Sequence, residues 1–566
     1  MRPIRTLALL ALLLAGLPAQ AAAPDRGTAA IDRDLSEVTI AQLQRYYAEH
    51  RYSVTQVVRW HLGRVQRYNG VYHALEQVFE AEALAAAAEA DALPKAAPRG
   101  ALFGVPIVIK ANTSIAGKVT TDGWEGYTLP GHELVAPRDA TVVARLRAAG
   151  AILIGHSNMP DFANSDTNRS SSFGRTGNAY DVRFSPGGSS GGTVTAVSGN
   201  LALLGTGTDT GNSIRMPAAT SAVVGVFPTR GLVSIAGIAP LDWLLDNTGP
   251  IARTVTDAAI ALSAMAGEDP LDPVTAGSAS RAQPGPYTRY LDPQALKGKR
   301  FGVPAFILHG TGVPFHGIPA AVSEAAALKQ SVGAAIPLDP RTLAAFRRAV
   351  AELEAAGATV VFDETLLGDD FARAASRIAT YAYVRDGTDR FLREFGPPEY
   401  HSAAEYERAV GTPIGACVIG TEPSSAEIGG VTVRQRRLAD DPEAETNYHA
   451  PRRRVLAAYA EALERFRLDG FVYPAIQMPP PDETLPQDGK VSEGPHSATG
   501  WVNMLGIPAV VVVGGYYPGG LPFGLEFSGR PWRDGDLLSY AYAWEQATHH
   551  RHAPPLADHG LLADPP

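Results

Sequence analysis

Two serines and one lysine are the residues of this chain whose surroundings suggest chemistry. Ser189 sits in Gly187-Gly188-Ser189-Ser190-Gly191-Gly192, and Ser213 closes Gly205-Thr206-Gly207-Thr208-Asp209-Thr210-Gly211-Asn212-Ser213, 24 residues further on. Lys110 ends the apolar run 103–109. Glycine-rich backbone approaches a ligand closely and turns its N–H groups onto it. A serine hydroxyl is a poor nucleophile until a base takes its proton. A lysine is such a base only when neutral, so its ordinary pKa of about 10.4 must fall through burial or neighbouring positive charge. Two serines in glycine loops and one lysine that a fold could bury are the parts of a Ser-Ser-Lys nucleophilic site.

Other motifs compete for the same residues. Gly187-Gly188-Ser189-Ser190-Gly191 matches the Gly-x-Ser-x-Gly nucleophile elbow, which needs a strand directly before it. Arg183-Phe184-Ser185-Pro186 precedes it and reads as a loop. A Ser-His-Asp esterase using Ser189 is the alternative enzyme that this match leaves open. Asp209-Thr210-Gly211 resembles an aspartic protease triplet, but the long chain has no second Asp-Thr-Gly or Asp-Ser-Gly to pair with it. His549, His550 and His552 lack spaced carboxylate or cysteine partners, so they read as a solvated helix end and no metal site is expected.

The elements that must position these residues follow an α/β grammar. Helix, glycine and buried strand recur at 140–149, Gly150 and 151–154, and again at 341–356, Gly357 and 358–362. The run 103–109 is apolar and β-branched, so it predicts a buried strand with Lys110 at its end. Ser53-Val54-Thr55-Gln56 predicts a capping box opening a helix, and 80–93 predicts an alanine-rich helix. Further strands are expected at 301–303, 471–473, 510–513 and 525–527, and a closing helix at 536–548. The Gly/Pro-rich stretch 306–340 reads as an insertion, 366–463 as a helical region, and 479–495 as a loop.

Composition narrows the class. The 566 residues are 45% hydrophobic, enough for a large core, and the net charge of −9 gives no basic footprint for nucleic acid. Arg2 and Arg5, the apolar 7–17 and Ala19-Gln20-Ala21 have the pattern of a cleavable signal over 1–21. The segment is too short to span a bilayer, and no later span is expected. This pattern predicts an exported protein, periplasmic or secreted, and argues against tRNA-directed amide transfer. Cys417 is the only cysteine, so no intrachain disulfide forms, and it reads as a structural thiol.

The two serine loops resemble the core of the amidase signature family of serine hydrolases. The resemblance extends through Gly104-Val105-Pro106-Ile107-Val108-Ile109-Lys110, Gly506-Ile507-Pro508-Ala509 and Leu521-Pro522-Phe523-Gly524-Leu525. It implies an α/β fold, a mixed β-sheet core covered by helices on both sides, forming a single domain over 35–560 with 366–463 on the substrate side. It implies Ser213 as nucleophile, Ser189 as bridge after a cis peptide, and Lys110 as base. Thr210, Gly211, Asn212 and Ser213 would offer backbone N–H groups to the oxyanion. Asp209, Arg215 and Ser190 would support the loops. Asn212 stands where the family usually has glycine, which suggests a positive φ there, and Asp161 stands where the family often has Glu. The implied partner is a small-molecule or peptide amide, with no metal or organic cofactor. Phe173, Trp243 and Trp501 are candidate pocket walls. An exported binding protein on an inactive amidase scaffold is the non-enzyme alternative, against which all three catalytic positions are intact.

Overall fold

The computed structural model describes residues 26–94, 96–309, 337–412, 414, 425–428, 431–484 and 494–554. The segment 1–21, Cys417 and positions 310–336 of the stretch 306–340 lie outside the described residues. Eleven strands form one sheet: β1 Leu75–Val78, β2 Pro106–Lys110, β3 Ile152–Ser157, β4 Leu204–Asp209, β5 Val224–Phe227, β6 Asn247–Ala252, β7 Arg300–Val303, β8 Thr359–Phe362, β9 Gly470–Pro474, β10 Ala509–Tyr516 and β11 Pro522–Ser528. Their spatial order is β1-β3-β2-β4-β6-β5-β10-β11-β9-β7-β8. The β3-β2-β4 and β9-β7-β8 groups run parallel internally, and the centre of the sheet is antiparallel. Helices flank this mixed sheet, as the sequence led us to expect.

Local sequence explains the elements that matter most to the site. The β2 residues Pro-Ile-Val-Ile-Lys are all buried, as expected of a strand covered on both faces. Gly150 has φ +93 between the helix Thr141–Ala148 and β3, and Gly357 has φ +95 between the helix Pro340–Ala355 and β8. These are the left-handed helix stops that the repeated grammar demanded. Ser53 accepts from Gln56 N–H at 3.1 Å in a complete capping box that opens the helix Val54–Tyr72.

The first half of the second serine loop is not a loop. Residues Leu204–Asp209 form β4, paired parallel to β2 and antiparallel to β6. Its glycines serve packing: a Cβ on Gly205 would lie 2.6 Å from Thr193 Cγ2 and 2.8 Å from Val108 Cγ2. Only a bare backbone lets β4 press against both the helix Gly191–Ser198 and β2. The region 366–463 contains the helices Asp369–Ser376, Val384–Phe395, Ala403–Val410 and Ala450–Arg465, together with a two-stranded hairpin, Ser425–Ile428 with Val431–Arg434.

Candidate active site

Lys110 and Asp209 end the neighbouring parallel strands β2 and β4, which brings both residues to the carboxyl end of the sheet. Carboxyl ends of parallel strands are the usual place for a ligand in such sheets. Ser189 leads into the helix Gly191–Ser198, and Ser213 leads into the helix Arg215–Thr220. The two loops are stitched together by Ser190 N–H donating to Ser213 O at 3.2 Å. Ser190 Oγ also donates to Thr208 O at 3.2 Å. The Gly188–Ser189 peptide is cis. The residues before it form no strand, so the elbow geometry is absent.

Lys110 is fully buried, with Nζ 2.7 Å from Ser189 Oγ. Nζ also donates to Thr208 Oγ1 at 2.9 Å and, more weakly, to Thr208 O at 3.5 Å. Asn112 Nδ2 donates to the same Thr208 hydroxyl at 3.0 Å. Burial lowers the amine to about 7, against the opposing pull of Asp122, Asp209 and Asp246. A neutral lysine has two N–H hydrogens and one lone pair. These are shared among Ser189 Oγ, Thr208 Oγ1 and Thr208 O. Sequence reasoning missed Asn112 and Thr208. The signal was there in the need to satisfy a buried amine with polar side chains from the strand ends beside it.

Ser213 is 5% exposed, and its Oγ donates to Asn212 Oδ1 at 3.5 Å. Asn212 Nδ2 in turn donates to Asp166 Oδ1 at 3.2 Å. Among the described residues, the N–H groups of Gly211, Asn212 and Ser213 donate to no protein acceptor. Asn212 is not among the residues with positive φ, contrary to the expectation drawn from glycine at its position. The loop turns without a left-handed residue there, because Asp209 Oδ2 accepts from Ile214 N–H at 3.0 Å and draws the chain round. Thr210 Oγ1 donates to Asp246 Oδ1 at 2.5 Å.

Arg215 is fully buried and bidentate on Asp209, with Nε to Oδ2 at 3.0 Å and Nη2 to Oδ1 at 3.2 Å. Burial alone would push Asp209 upward, but Arg215 outweighs it and holds the carboxyl below the ordinary range. Asp161 is half-buried and accepts from Ser171 N–H at 2.7 Å, a loop contact.

The three aromatic candidates do not form a common wall. Trp501 is fully buried among Phe306, Phe371, Tyr459, Phe471 and Tyr473, which makes it part of the core rather than a pocket surface. Trp243 donates from Nε1 to Tyr383 O at 2.9 Å, carries Arg390 over its ring, and borders a cleft of about 280 Å³ against the helix Val384–Phe395. Lys110, Ser189 and Ser213 do not line that cleft. Phe173 is half-buried, its ring 5.5 Å from that of His73.

The C-terminal histidines go separate ways: His550 meets Glu352, His552 stacks on Tyr516, and His549 ends a helix. Among the described residues, no group of three metal-ligating side chains occurs, and no helix is long and apolar enough to cross a membrane.

An amidase family model matches residues 56–328. A glutamyl-tRNA(Gln) amidotransferase subunit of Symbiobacterium thermophilum is 33% identical over 537 residues, covering 92% of this chain and 99% of that relative. The chain belongs to the amidase signature family. The corresponding amidotransferase subunit of Ralstonia pickettii is 32% identical, with 92% and 99% covered. Among solved structures, the native peptide amidase of Stenotrophomonas maltophilia superposes with a TM-score of 0.71 at 30% identity, covering 92% of this chain and 98% of that one. The peptide amidase PAM bound to the competitive inhibitor chymostatin gives 0.72 at 30% identity, with 92% and 99% covered. This family member is an amidase, a hydrolase of carboxylic amide C–N bonds. The same comparisons overturn the expectation of export. Relatives matching along nine-tenths of the chain are named for work on glutamyl-tRNA(Gln), the tRNA-directed task that export would exclude. The argument against tRNA-directed amide transfer falls with it, since it rested on export alone.

Proposed function

We propose that this amidase hydrolyses a carboxylic amide to an acid and an amine or ammonia through an acyl-enzyme on Ser213. The observation that carries the reading is a fully buried lysine amine, lowered to about 7, at 2.7 Å from Ser189 Oγ. Ser213 Oγ attacks the carbonyl carbon and passes its proton to Ser189 Oγ, whose own proton moves to the lone pair of Lys110. The N–H groups of Thr210, Gly211, Asn212 and Ser213 face the developing oxyanion; one such donor is worth about 10²–10³ in rate. The relay then runs backward, the leaving nitrogen takes the proton, and the C–N bond breaks. Water repeats the sequence on the ester and frees the acid. Residues 35–560 act as one domain in this reading, supported by a single sheet whose strands span Leu75 to Ser528. The helical region 366–463 takes the substrate side, with 306–340 as an insertion.

The test is turnover of a small library of peptide and simple amides. Ser213→Ala and Lys110→Ala abolish turnover, and Ser189→Ala leaves a trace. Because one relay joins Lys110 and Ser189, the double variant Lys110→Ala/Ser189→Ala is no worse than the poorer single. A double variant far below both singles overturns the shared relay.

A second reading is favoured by the near-full-length match to amidotransferase subunits. In it the same acyl-enzyme chemistry frees nitrogen that is handed to an acceptor on a partner protein. Free ammonia released from peptide amides by the purified chain alone favours the first reading. Turnover only with added partner proteins favours the second.

A further inference from the structure

Arg215 does more than pair with Asp209. Its Nη2 donates to Gly211 O at 2.9 Å, inside the serine loop. Its Nη1 donates to Glu526 Oε1 at 2.8 Å and to Thr499 O at 3.1 Å. Asn503 Oδ1 accepts from Nη2, while Asn503 Nδ2 donates to Asp209 O at 3.0 Å and Asp209 Oδ1 at 2.8 Å. Tyr473 OH donates to the same Glu526 oxygen at 3.0 Å. Arg215, Asp209 and Glu526 are fully buried and Asn503 is 1% exposed. Every N–H of the guanidinium fork therefore has an acceptor, and the fork has no freedom to turn.

That fixed fork has a geometric consequence for one peptide plane. In a trans peptide the carbonyl and the following N–H point in opposite directions. Holding Gly211 O inward on Arg215 turns Asn212 N–H outward, away from the guanidinium. Asp209 ends β4, paired with Asn247 of β6, and holds Arg215 from the sheet itself. Asn503, on the short helix Trp501–Leu505, and Glu526, on β11, belong to separate elements and supply an external frame.

We propose that Glu526 and Asn503 are positioning residues for the Asn212 N–H, acting through Arg215 and the Gly211 carbonyl. This rests on the acyl-enzyme reading above. Neither residue touches substrate. Each fixes the direction of an oxyanion donor from an element about 300 residues away in sequence. Glu526→Gln keeps an oxygen for Arg215 Nη1 and the Tyr473 hydroxyl, whereas Glu526→Leu removes the acceptor that both share.

The experiment measures kcat and KM on one amide, the urea midpoint, and the rate at which a fluorophosphonate labels Ser213. The probe's phosphoryl oxygen occupies the oxyanion position, so labelling reports donor alignment independently of any amide. Glu526→Leu and Asn503→Ala are expected to lower kcat and the labelling rate together by about 10–100-fold, part of the 10²–10³ that a lost donor costs. KM stays within about twofold, and Glu526→Gln restores both rates to within about fivefold. A folded Glu526→Leu or Asn503→Ala protein that labels at the wild-type rate overturns the proposal, as does a Glu526→Gln protein as slow as Glu526→Leu. If Glu526→Leu does not fold, Asn503→Ala decides by the same criteria. Full activity of Ser213→Ala would instead defeat the acyl-enzyme reading, so the two failures are distinguishable.

Discussion

Replacing Lys110 with methionine should remove activity and make the protein more stable near neutral pH. The amine is fully buried, and burial lowers it from 10.5 to about 7. At 1.36 kcal/mol per tenfold, that fall is a cost of roughly 5 kcal/mol for holding the charged form inside. The sign follows from linkage. Below pH 7 the folded state carries the buried charge and bears the whole cost. Between pH 7 and 10.5 the unfolded chain binds more protons than the folded one, so stability rises with pH and the cost disappears. Methionine has similar length and no charge, but it forfeits the contacts with Ser189 and Thr208, about 1 kcal/mol each. The net gain at pH 7 is about 1–3 kcal/mol. Urea unfolding followed by tryptophan fluorescence, for both proteins at pH 7 and pH 10, measures it. The advantage of the variant should shrink or reverse at pH 10. A variant less stable at pH 7, or an advantage that does not change with pH, would refute the argument that a charge penalty is stored at this lysine.

The remaining expectations concern the same cluster. The value of kcat/KM should rise about tenfold per pH unit from pH 5 towards a plateau just above pH 7, as Lys110 loses its proton; a profile flat between pH 5 and 9 excludes a lysine base. Asn212→Ala should keep kcat within about tenfold, since no left-handed backbone is required there and the Asp166 contact is the main loss; a drop beyond about 10² would mean that the Asn212 side chain takes part directly. Trp501→Ala should cost about 3–5 kcal/mol in urea unfolding, with KM unchanged; a selective rise in KM would return this residue to the pocket.

The sequence was most readable where chemistry and local conformation coincide. Lys110 at a strand end and the helix–glycine–strand units before β3 and β8 rest on short-range rules, and they lie where those rules put them. Gly205 and Gly207 misled, because glycine is used both to bend a loop and to let two backbones approach, and one sequence does not say which. Asn212 misled through analogy: a glycine at that position in relatives does not require a glycine-only φ. Asn112, Thr208, Asn503 and Glu526 were invisible as site residues, since ordinary polar side chains gain their role only from partners brought in by the sheet. Trp501 was read as a wall because aromatic residues serve cores and pockets alike, and only neighbours tell the two apart.

The wide separation of Arg215 from its anchors bears on how the chain comes into being. Glu526 follows it by 311 positions and Asn503 by 288. At about 5–20 residues per second, synthesis needs roughly 15–60 s to pass from the arginine to its last anchor. Throughout that interval the nascent chain already contains Lys110, Ser189 and Ser213, yet the guanidinium that steers their loop is only half held. A chain cut short before β11 would keep Arg215 on Asp209 and Gly211 O but lack Glu526, the anchor whose loss is expected above to slow the site.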